Sequence, residues 1–199
     1  MTTTRFVLCF SLCLVLVPAV LRGNPTTDPS VRLHSVQANF TQEKHLKILV
    51  RPLVSSGVFA FQAPQSLRWE YLRPVHSLLL MHNGRIQKMI EQDGRFEQDN
   101  GAGIDSMQIV LQDIGNWLDG RFTDNPMFQV TRSDDRTIVL TPKEPGLQSI
   151  ISRIELHQGQ EAGVMETVTI FEGPDAFTRL TFTQTVLNRE IPEARFTGQ

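Results

Sequence analysis

Residues 67–74 read LRWEYLRP, and this stretch carries the clearest fold signal in the chain. Trp69 and Tyr71 alternate with Arg68 and Glu70, and a proline ends the run. Side chains alternate between the two faces of a β-strand, so the pattern predicts a strand with one apolar and one charged face. The question it raises is whether the aromatic face packs into a filled core or lines a cavity that a ligand enters.

The same strand-like alternation recurs on both sides of this stretch. It predicts further strands at residues 38–46, 58–62, 77–81, 85–91, 127–132, 137–143, 150–157, 165–171 and 178–188. Turns are predicted at residues 55–57, at Asn83-Gly84 and at Asp93-Gly94, because Asn, Asp and Gly tolerate the backbone angles that tight turns need. Many short strands joined by turns indicate a meandering antiparallel sheet.

Two segments have helical character instead. A short helix is predicted to start near Ser30, and a long amphipathic helix is predicted over residues 104–118. The apolar residues of the long helix recur every three or four positions, at Ile104, Met107, Leu111, Ile114 and Leu118. So little helix cannot cover both faces of the sheet. The fold class predicted is mainly β (α+β), with a sheet that curls on itself or leaves one face open.

The N-terminus has the composition of an export signal. Arg5 precedes an apolar run, residues 6–21, which is short for a membrane-spanning helix. The interpretation is a signal peptide over residues 1–23, cleaved after Ala19 or Gly23; an uncleaved membrane anchor is the alternative. Residues 24–199 then form a single domain. Both cysteines of the chain lie in the leader, so the exported domain has none, which favours the periplasm.

Composition and motifs exclude several classes of function. The 199-residue chain has a formal net charge of -2, whereas nucleic-acid binders usually carry a basic excess. None of the five histidines has the spacing of a metal site, and the sequence lacks a Gly-x-Ser-x-Gly nucleophile motif. We therefore expect no enzyme activity, no cofactor and no metal.

Apolar side chains on the predicted strands are the remaining candidates for a functional surface. They are the eight residues Phe40, Phe59, Phe61, Trp69, Tyr71, Leu78, Leu80 and Phe182, together with Ile86, Val168, Ile170 and Leu180. Periodicity alone is consistent with a plain hydrophobic core and with a ligand cavity, and it leaves both open.

The order of short motifs resembles a known family. Residues 39–74, NFTQEKHLKILVRPLVSSGVFAFQAPQSLRWEYLRP, look like the LolA-type periplasmic carriers: Phe-x-Gln, Gly-x-Phe-x-Phe, Pro, then Arg-Trp and an aromatic residue before Pro. The likeness continues through the Asn83-Gly84 hairpin, the amphipathic helix and the strands after Pro142, as far as Ile191 and Phe196. It covers nearly the whole of the exported domain.

The resemblance implies a strongly curved antiparallel sheet that forms an incomplete barrel, closed by helices over a hydrophobic cavity. It implies a periplasmic carrier that takes acylated lipoproteins from an inner-membrane ABC exporter to an outer-membrane receptor and acts as a monomer. Carriage of another lipid or glycolipid, or a module that senses lipid or lipoprotein, is the alternative. The lipid-binding residues implied are the eight strand residues above together with Met107, Leu111, Ile114 and Leu118 of the helix.

The sequence departs from the family pattern at two places. The best-known carriers have an arginine before the proline that precedes the Trp motif, and that arginine helps to latch the helical lid; Ala63 stands there in this chain. The family's aromatic-Asp motif after the Asp-Gly turn is also absent. Both departures concern the proposed lid and cargo rather than the fold.

Overall fold

A computed structural model describes residues 33–99, 125–161 and 163–197, which form one antiparallel sheet of eleven strands. The strands are β1 (Ser35–Leu46), β2 (Leu53–Gln62), β3 (Ser66–Arg73), β4 (Ser77–His82), β5 (Arg85–Gln92), β6 (Arg95–Gln98), β7 (Phe128–Arg132), β8 (Thr137–Pro142), β9 (Arg153–Gln158), β10 (Met165–Phe171) and β11 (Ala176–Leu187). A single-turn helix, α1 (Pro145–Gln148), precedes β9, and a 3₁₀ helix (Glu193–Phe196) follows β11.

The strand order places the two longest strands at the centre of the sheet. It runs β6-β5-β4-β3-β2-β1-β11-β10-β9-β8-β7, so all neighbours except β1 and β11 are consecutive along the chain. From β1 at the centre, β2 to β6 extend to one edge of the sheet. β7 lies at the opposite edge, and β8 to β11 lead back to β1. The sheet is curved and does not close into a barrel. The mainly-β prediction is therefore confirmed for the described residues.

One face of the sheet, here named the inner face, carries the hydrophobic core. Trp69 of β3 lies on it, and cross-strand pairs carry the same face through β2, β1 and β11 to the far edge. Residues on strands far apart in the strand order, such as Leu67 on β3 and Phe128 on the β7 edge, belong to one buried cluster. One cluster shared by such distant strands is consistent with a sheet that curves around its core.

The prediction of a turn at residues 55–57 is wrong, because these residues lie inside β2. Gly57 pairs with Phe40 on one side and with Tyr71 on the other. A Cβ atom at Gly57 would collide with the carbonyl oxygen of Glu70 and would lie 2.9 Å from Cζ of Phe40. The glycine therefore marks a close approach of two strands, beside an irregularity in the β2–β3 register, rather than a change of direction.

The other predicted turns are confirmed. Asn83 and Gly84 connect β4 to β5, and Asp93 and Gly94 connect β5 to β6, all four with positive φ. The long helix predicted over residues 104–118 and the start of the short helix at Ser30 lie outside the described residues. The leader is outside them as well, and so is the helical closure that the family resemblance implies.

Candidate functional site

Five aromatic rings from four strands meet on the inner face and form the aromatic cluster: Phe40, Phe59, Trp69, Tyr71 and Phe182. The Trp69 ring is at its centre. Its centroid lies 4.7 Å from that of Phe40, 5.2 Å from Phe59 and 6.2 Å from Phe182. The rings are tilted or edge-to-face, which are the arrangements that aromatic pairs prefer. The five predicted residues are therefore brought together in one place.

The cluster forms because alternation and register agree in these strands. Trp69 lies opposite Phe59 of β2, and Phe59 lies opposite Ala38 of β1. Phe182 of β11 lies opposite Phe40. Large rings thus alternate with small residues, Ala38 and Gly57, across the face, and this leaves room for the rings to tilt against each other.

Two polar atoms lie within this apolar surface. Trp69 is 1% exposed, and its indole Nε1 has no hydrogen-bond acceptor among the described residues. A buried donor without a partner costs roughly 1–3 kcal/mol. The Tyr71 hydroxyl, by contrast, donates to Oε1 of Gln42 at 2.7 Å. The cluster thus holds one unpaired donor in its centre and a paired hydroxyl towards the β1–β2 connection.

Phe61 also lies on the inner face, but Leu78 and Leu80 do not. Phe61 is opposite Leu67 and Val36. Leu78 and Leu80 are opposite Glu70 and Arg68, so they lie on the other face of the sheet, here named the outer face. Their prediction as neighbours of Trp69 is wrong in position.

The inner-face positions of β4 belong to Leu79 and Met81, which sequence reasoning missed. Leu79 is opposite Trp69 and Met81 is opposite Leu67. The run Leu78 to Met81 is apolar throughout, so alternation gives no signal for which residues face inward. The register of β4 against β3, with Ser77 opposite Tyr71, determines which of these residues face inward. The helix residues predicted for the same surface, Met107, Leu111, Ile114 and Leu118, lie outside the described residues.

The outer face of β3 is polar and its charges are paired. Nε of Arg68 donates to Oε2 of Glu70 at 2.9 Å, and the His76 ring bridges Glu70 at 2.9 Å and Glu91 at 2.6 Å. The hydrogen bond to Glu70 is the main reason why the pKa of His76 is raised. Burial opposes ionisation of Glu70, but the hydrogen bonds from Arg68 and His76 outweigh it and hold its pKa below the ordinary value.

A C-terminal strap, residues 188–197, covers part of this outer face. Ile191 and Phe196 are each 2% exposed and pack against Ala60 of β2. The carbonyl oxygen of Arg195 accepts a hydrogen bond from Arg68 at 3.1 Å, and Glu193 lies 3.1 Å from the His82 ring. A cavity of about 150 Å³ at the edge of the strap is lined by Leu80, His82, Arg85, Gln87, Phe196 and Thr197.

The described residues offer no arrangement for metal-dependent chemistry. The described histidines that lie within 4 Å of carboxylates do so in separate places, around His45, His76 and His82. Among the described residues, no group of three or more His, Cys, Asp or Glu side chains could hold a metal ion. Nor does any helix in this part of the chain have the length and apolar content needed to cross a membrane.

The described residues define a class of mainly-β protein: one curved, unclosed antiparallel sheet whose inner face carries a buried aromatic cluster. The family model "Outer membrane lipoprotein carrier protein LolA" matches residues 32–199. This is most of the chain, and the protein therefore belongs to the LolA family. A search of curated proteins found no match to the chain.

Several solved structures match the chain at low sequence identity and with TM-scores below 0.5. A DUF1329 family protein from Desulfovibrio piger has a TM-score of 0.47 and 10% identity, over 86% of this chain and 92% of its own. A LolA superfamily protein from Nitrosomonas europaea has a TM-score of 0.43 and 11% identity, over 83% and 90%. The lipoprotein LppX from Mycobacterium tuberculosis has a TM-score of 0.40 and 11% identity, over 80% and 89%. The family assignment rests on the family model.

Proposed function

We propose that this protein is a periplasmic carrier that binds the acyl chains of lipoproteins against its inner face and moves them from the inner to the outer membrane. The observation that carries the proposal is the aromatic cluster around Trp69 on the inner face of an unclosed sheet. Membership of the lipoprotein carrier family supports it. The proposed binding surface includes Phe61 of β2 and the helix residues Met107, Leu111, Ile114 and Leu118.

The physical basis of binding is burial of methylene groups. Each CH₂ group moved from water to an apolar surface contributes about 0.8 kcal/mol, so an acyl chain supplies most of its own binding free energy. Aromatic rings and aliphatic side chains without charges impose little geometry on such a chain. A carrier also has to release its cargo, and a surface that binds by area rather than by directed hydrogen bonds suits both steps.

The indole N–H of Trp69 could also donate one hydrogen bond to the cargo. Acyl chains are joined to a lipoprotein through ester and amide groups, whose carbonyl oxygens accept hydrogen bonds. A carbonyl oxygen placed at Nε1 of Trp69 would satisfy the buried donor at the centre of the aromatic cluster. The proposal therefore orients the cargo with its linking group near Trp69.

The leader over residues 1–23 fits this role as a signal peptide that is removed on export, with residues 24–199 as the carrier domain. An inner-membrane ABC exporter as donor and an outer-membrane receptor as acceptor follow from the carrier role. Sequencing the N-terminus of protein from the periplasmic fraction tests the export step. An intact Met1 in the membrane fraction would contradict it.

A second candidate is a carrier of another lipid or glycolipid, or a lipid-sensing module, on the same fold. The observation that favours it is Ala63, which stands where the best-known carriers have the arginine that latches the lid. Ala63 is partly buried and packs against the core cluster, so it offers no charged latch. Mass spectrometry of the ligand that co-purifies with the protein distinguishes the two candidates.

Binding itself is tested by titrating the purified exported domain with a soluble triacylated lipopeptide. The chain has two tryptophans, so a Trp117→Phe variant reports Trp69 emission alone. We expect Trp69 emission to shift on binding. Phe182→Ala should weaken binding about tenfold, because one aromatic ring of the surface is lost. Phe182 is only partly buried, so the variant should still fold.

Val186→Ala is the matched control, because Val186 is an exposed apolar residue of the same strand. Its affinity should equal that of the wild type. Unchanged Trp69 emission at saturating lipopeptide, together with equal affinities for the Phe182 and Val186 variants, would contradict binding at the inner face.

A further inference from the structure

The exposed apolar side chains of this protein are concentrated at one end of the sheet. Among the described residues, seven of the eleven exposed large hydrophobic side chains lie in the β1–β2 and β3–β4 connections and the strand ends beside them. These two segments, residues 47–54 and 72–75, are here named the basic rim. The seven side chains are Ile48, Leu49, Val50, Leu53, Val54, Leu72 and Val75.

The topology brings the two segments together. Consecutive antiparallel strands place the β1–β2 and β3–β4 connections at the same end of the sheet, on neighbouring hairpins. β2 pairs with β3 only from Ser56 onward, so Leu53 and Val54 continue beyond the end of β3. The β1–β2 connection is therefore the more protruding of the two, and Ile48 and Val50 at its tip are 88% and 102% exposed.

The basic rim is held in place rather than loosely attached. Lys47 pairs with Asp175 of the adjacent β10–β11 connection at 2.7 Å, and the amide of Leu49 donates to the carbonyl of Leu46 at 2.9 Å. Aliphatic side chains that are fully exposed on an ordered tip can be buried against a partner without breaking any packing within the protein. Contiguous apolar surface of this kind marks an interaction site.

Charge indicates what covers this surface. Residues 47–54 and 72–75 contain Lys47, Arg51 and Arg73 and no acidic residue, although the chain as a whole has a net charge of -2. Arg51 and Arg73 are exposed. Cations directly beside an apolar tip match a bilayer surface, where aliphatic side chains enter the acyl boundary and the cations remain at the level of anionic headgroups.

We propose that the basic rim docks the protein onto membranes with anionic lipid headgroups by inserting Ile48, Leu49 and Val50 into the bilayer interface. The proposal does not depend on the carrier function, because it concerns a different surface from the inner face. It goes beyond that function by identifying which end of the molecule meets the membrane. Tyr71 lies on the inner face of β3 two residues before Arg73, so the aromatic cluster extends towards the same end.

The test is flotation of the purified exported domain with vesicles of phosphatidylcholine that contain about 30% phosphatidylglycerol, a typical anionic lipid. We expect the wild type to float with these vesicles and an Ile48→Asp/Val50→Asp double variant to bind at least about tenfold more weakly, because two inserted aliphatic side chains are replaced by charges. Both residues are fully or nearly fully exposed, so the melting temperature should not change.

The matched control is an Ile86→Asp/Val186→Asp double variant. Ile86 and Val186 are also exposed aliphatic residues, at 62% and 42%, but they lie at the opposite end of the sheet. This variant should bind vesicles like the wild type. Insertion is checked separately with Val50→Trp and Ile86→Trp variants, since brominated lipids should quench only the former.

The role of charge is tested with Arg51→Glu/Arg73→Glu, which should remove the preference for vesicles with phosphatidylglycerol over pure phosphatidylcholine. Wild-type protein that does not float, or both Asp double variants floating like the wild type, would overturn the proposal and indicate that the rim meets another protein. Lipopeptide binding by the Ile48→Asp/Val50→Asp variant distinguishes failure of this proposal from failure of the carrier function.

Discussion

The two faces of β3 are stabilised in opposite ways. On the inner face, Trp69 contacts aromatic rings, and its indole N–H finds no acceptor in the part of the chain that the structure describes. On the outer face one residue away, Arg68 and Glu70 pair with each other, with His76 and with the C-terminal strap. The side chains of β3 therefore form an aromatic surface on one side of the sheet and a surface of paired charges on the other.

Both faces are buried at these positions, with Trp69 at 1% and Phe196 at 2% exposure, but they differ in how their polar groups are paired. On the outer face, the protein itself supplies the covering element, because Ile191 and Phe196 of the strap fill the apolar positions there and its backbone accepts hydrogen bonds. On the inner face, no residue within 33–99, 125–161 or 163–197 accepts a hydrogen bond from the indole N–H of Trp69. A surface with unused bonding capacity and apolar surroundings is the better candidate for a binding site.

The largest effect is expected at the centre of the inner face. Trp69→Ala should lower the free energy of unfolding by roughly 3–5 kcal/mol, because the ring is 1% exposed and its loss leaves a void among neighbouring rings. The measurement is urea denaturation of the exported domain. Arg68→Ala, on the outer face of the same strand, should cost less, roughly 1–3 kcal/mol, because it removes the hydrogen bond to the mostly buried Glu70 but leaves that carboxylate paired with His76. Equal costs would remove the contrast between the two faces.

The second effect tests whether the strap behaves as part of the core. Phe196→Ala removes a ring that is 2% exposed but packs in a small cluster with Ala60 and Ile191. Segments that pack through a small cluster open locally at lower free energy than central strands. We therefore expect local release of the strap, seen as faster hydrogen exchange at the Ile191 and Arg195 amides, with a smaller loss of global stability than for Trp69→Ala.

The control for the strap is exchange at the β2 and β3 amides, which should stay protected in Phe196→Ala. If the β2 and β3 amides exchange as fast as the strap amides in this variant, the strap unfolds together with the sheet. The outer face under the strap would then contribute to global stability in the same way as the inner face.

The sequence predicted the strands and the aromatic cluster well because alternation is a local signal. The alternating polarity of residues 68–71 is enough to assign Trp69 and Tyr71 to one face and Arg68 and Glu70 to the other. The structure confirms this assignment. Leu78 and Leu80 were placed on the wrong face because a wholly apolar run has no alternation to read. Register there depends on the β3–β4 connection, which propensities do not encode.

Gly57 shows a second limit of sequence reasoning. Glycine beside two serines is typical of a turn, but here it allows the backbone of β3 and the ring of Phe40 to approach β2. That requirement arises from residues 13 and 17 positions away in the sequence, so no local pattern could reveal it. The covering of the outer face by the strap is likewise a long-range contact, between Arg68 and Arg195.

The smallest expected effect concerns His76 on the outer face. Its pKa is raised chiefly by the hydrogen bond to Glu70, so the folded protein holds this proton more tightly than the unfolded chain does. The stabilisation is therefore complete below the ordinary histidine pKa of about 6.5 and is lost as the pH rises through the raised folded value. His76→Gln removes this pH-dependent part while keeping a side chain that can donate to Glu70.

The difference in unfolding free energy between the wild type and His76→Gln should be less than about 1 kcal/mol, because the ring is partly exposed and its pairs are near the surface. It should be larger at about pH 5.5 than at about pH 8, since the protonated fraction of His76 falls as the pH rises through its raised pKa. Comparison with the wild type cancels the titration of the other histidines. A difference that is constant with pH, or larger at the higher pH, would show that the outer face is stabilised by packing, as the inner face is, and not by the charged ring.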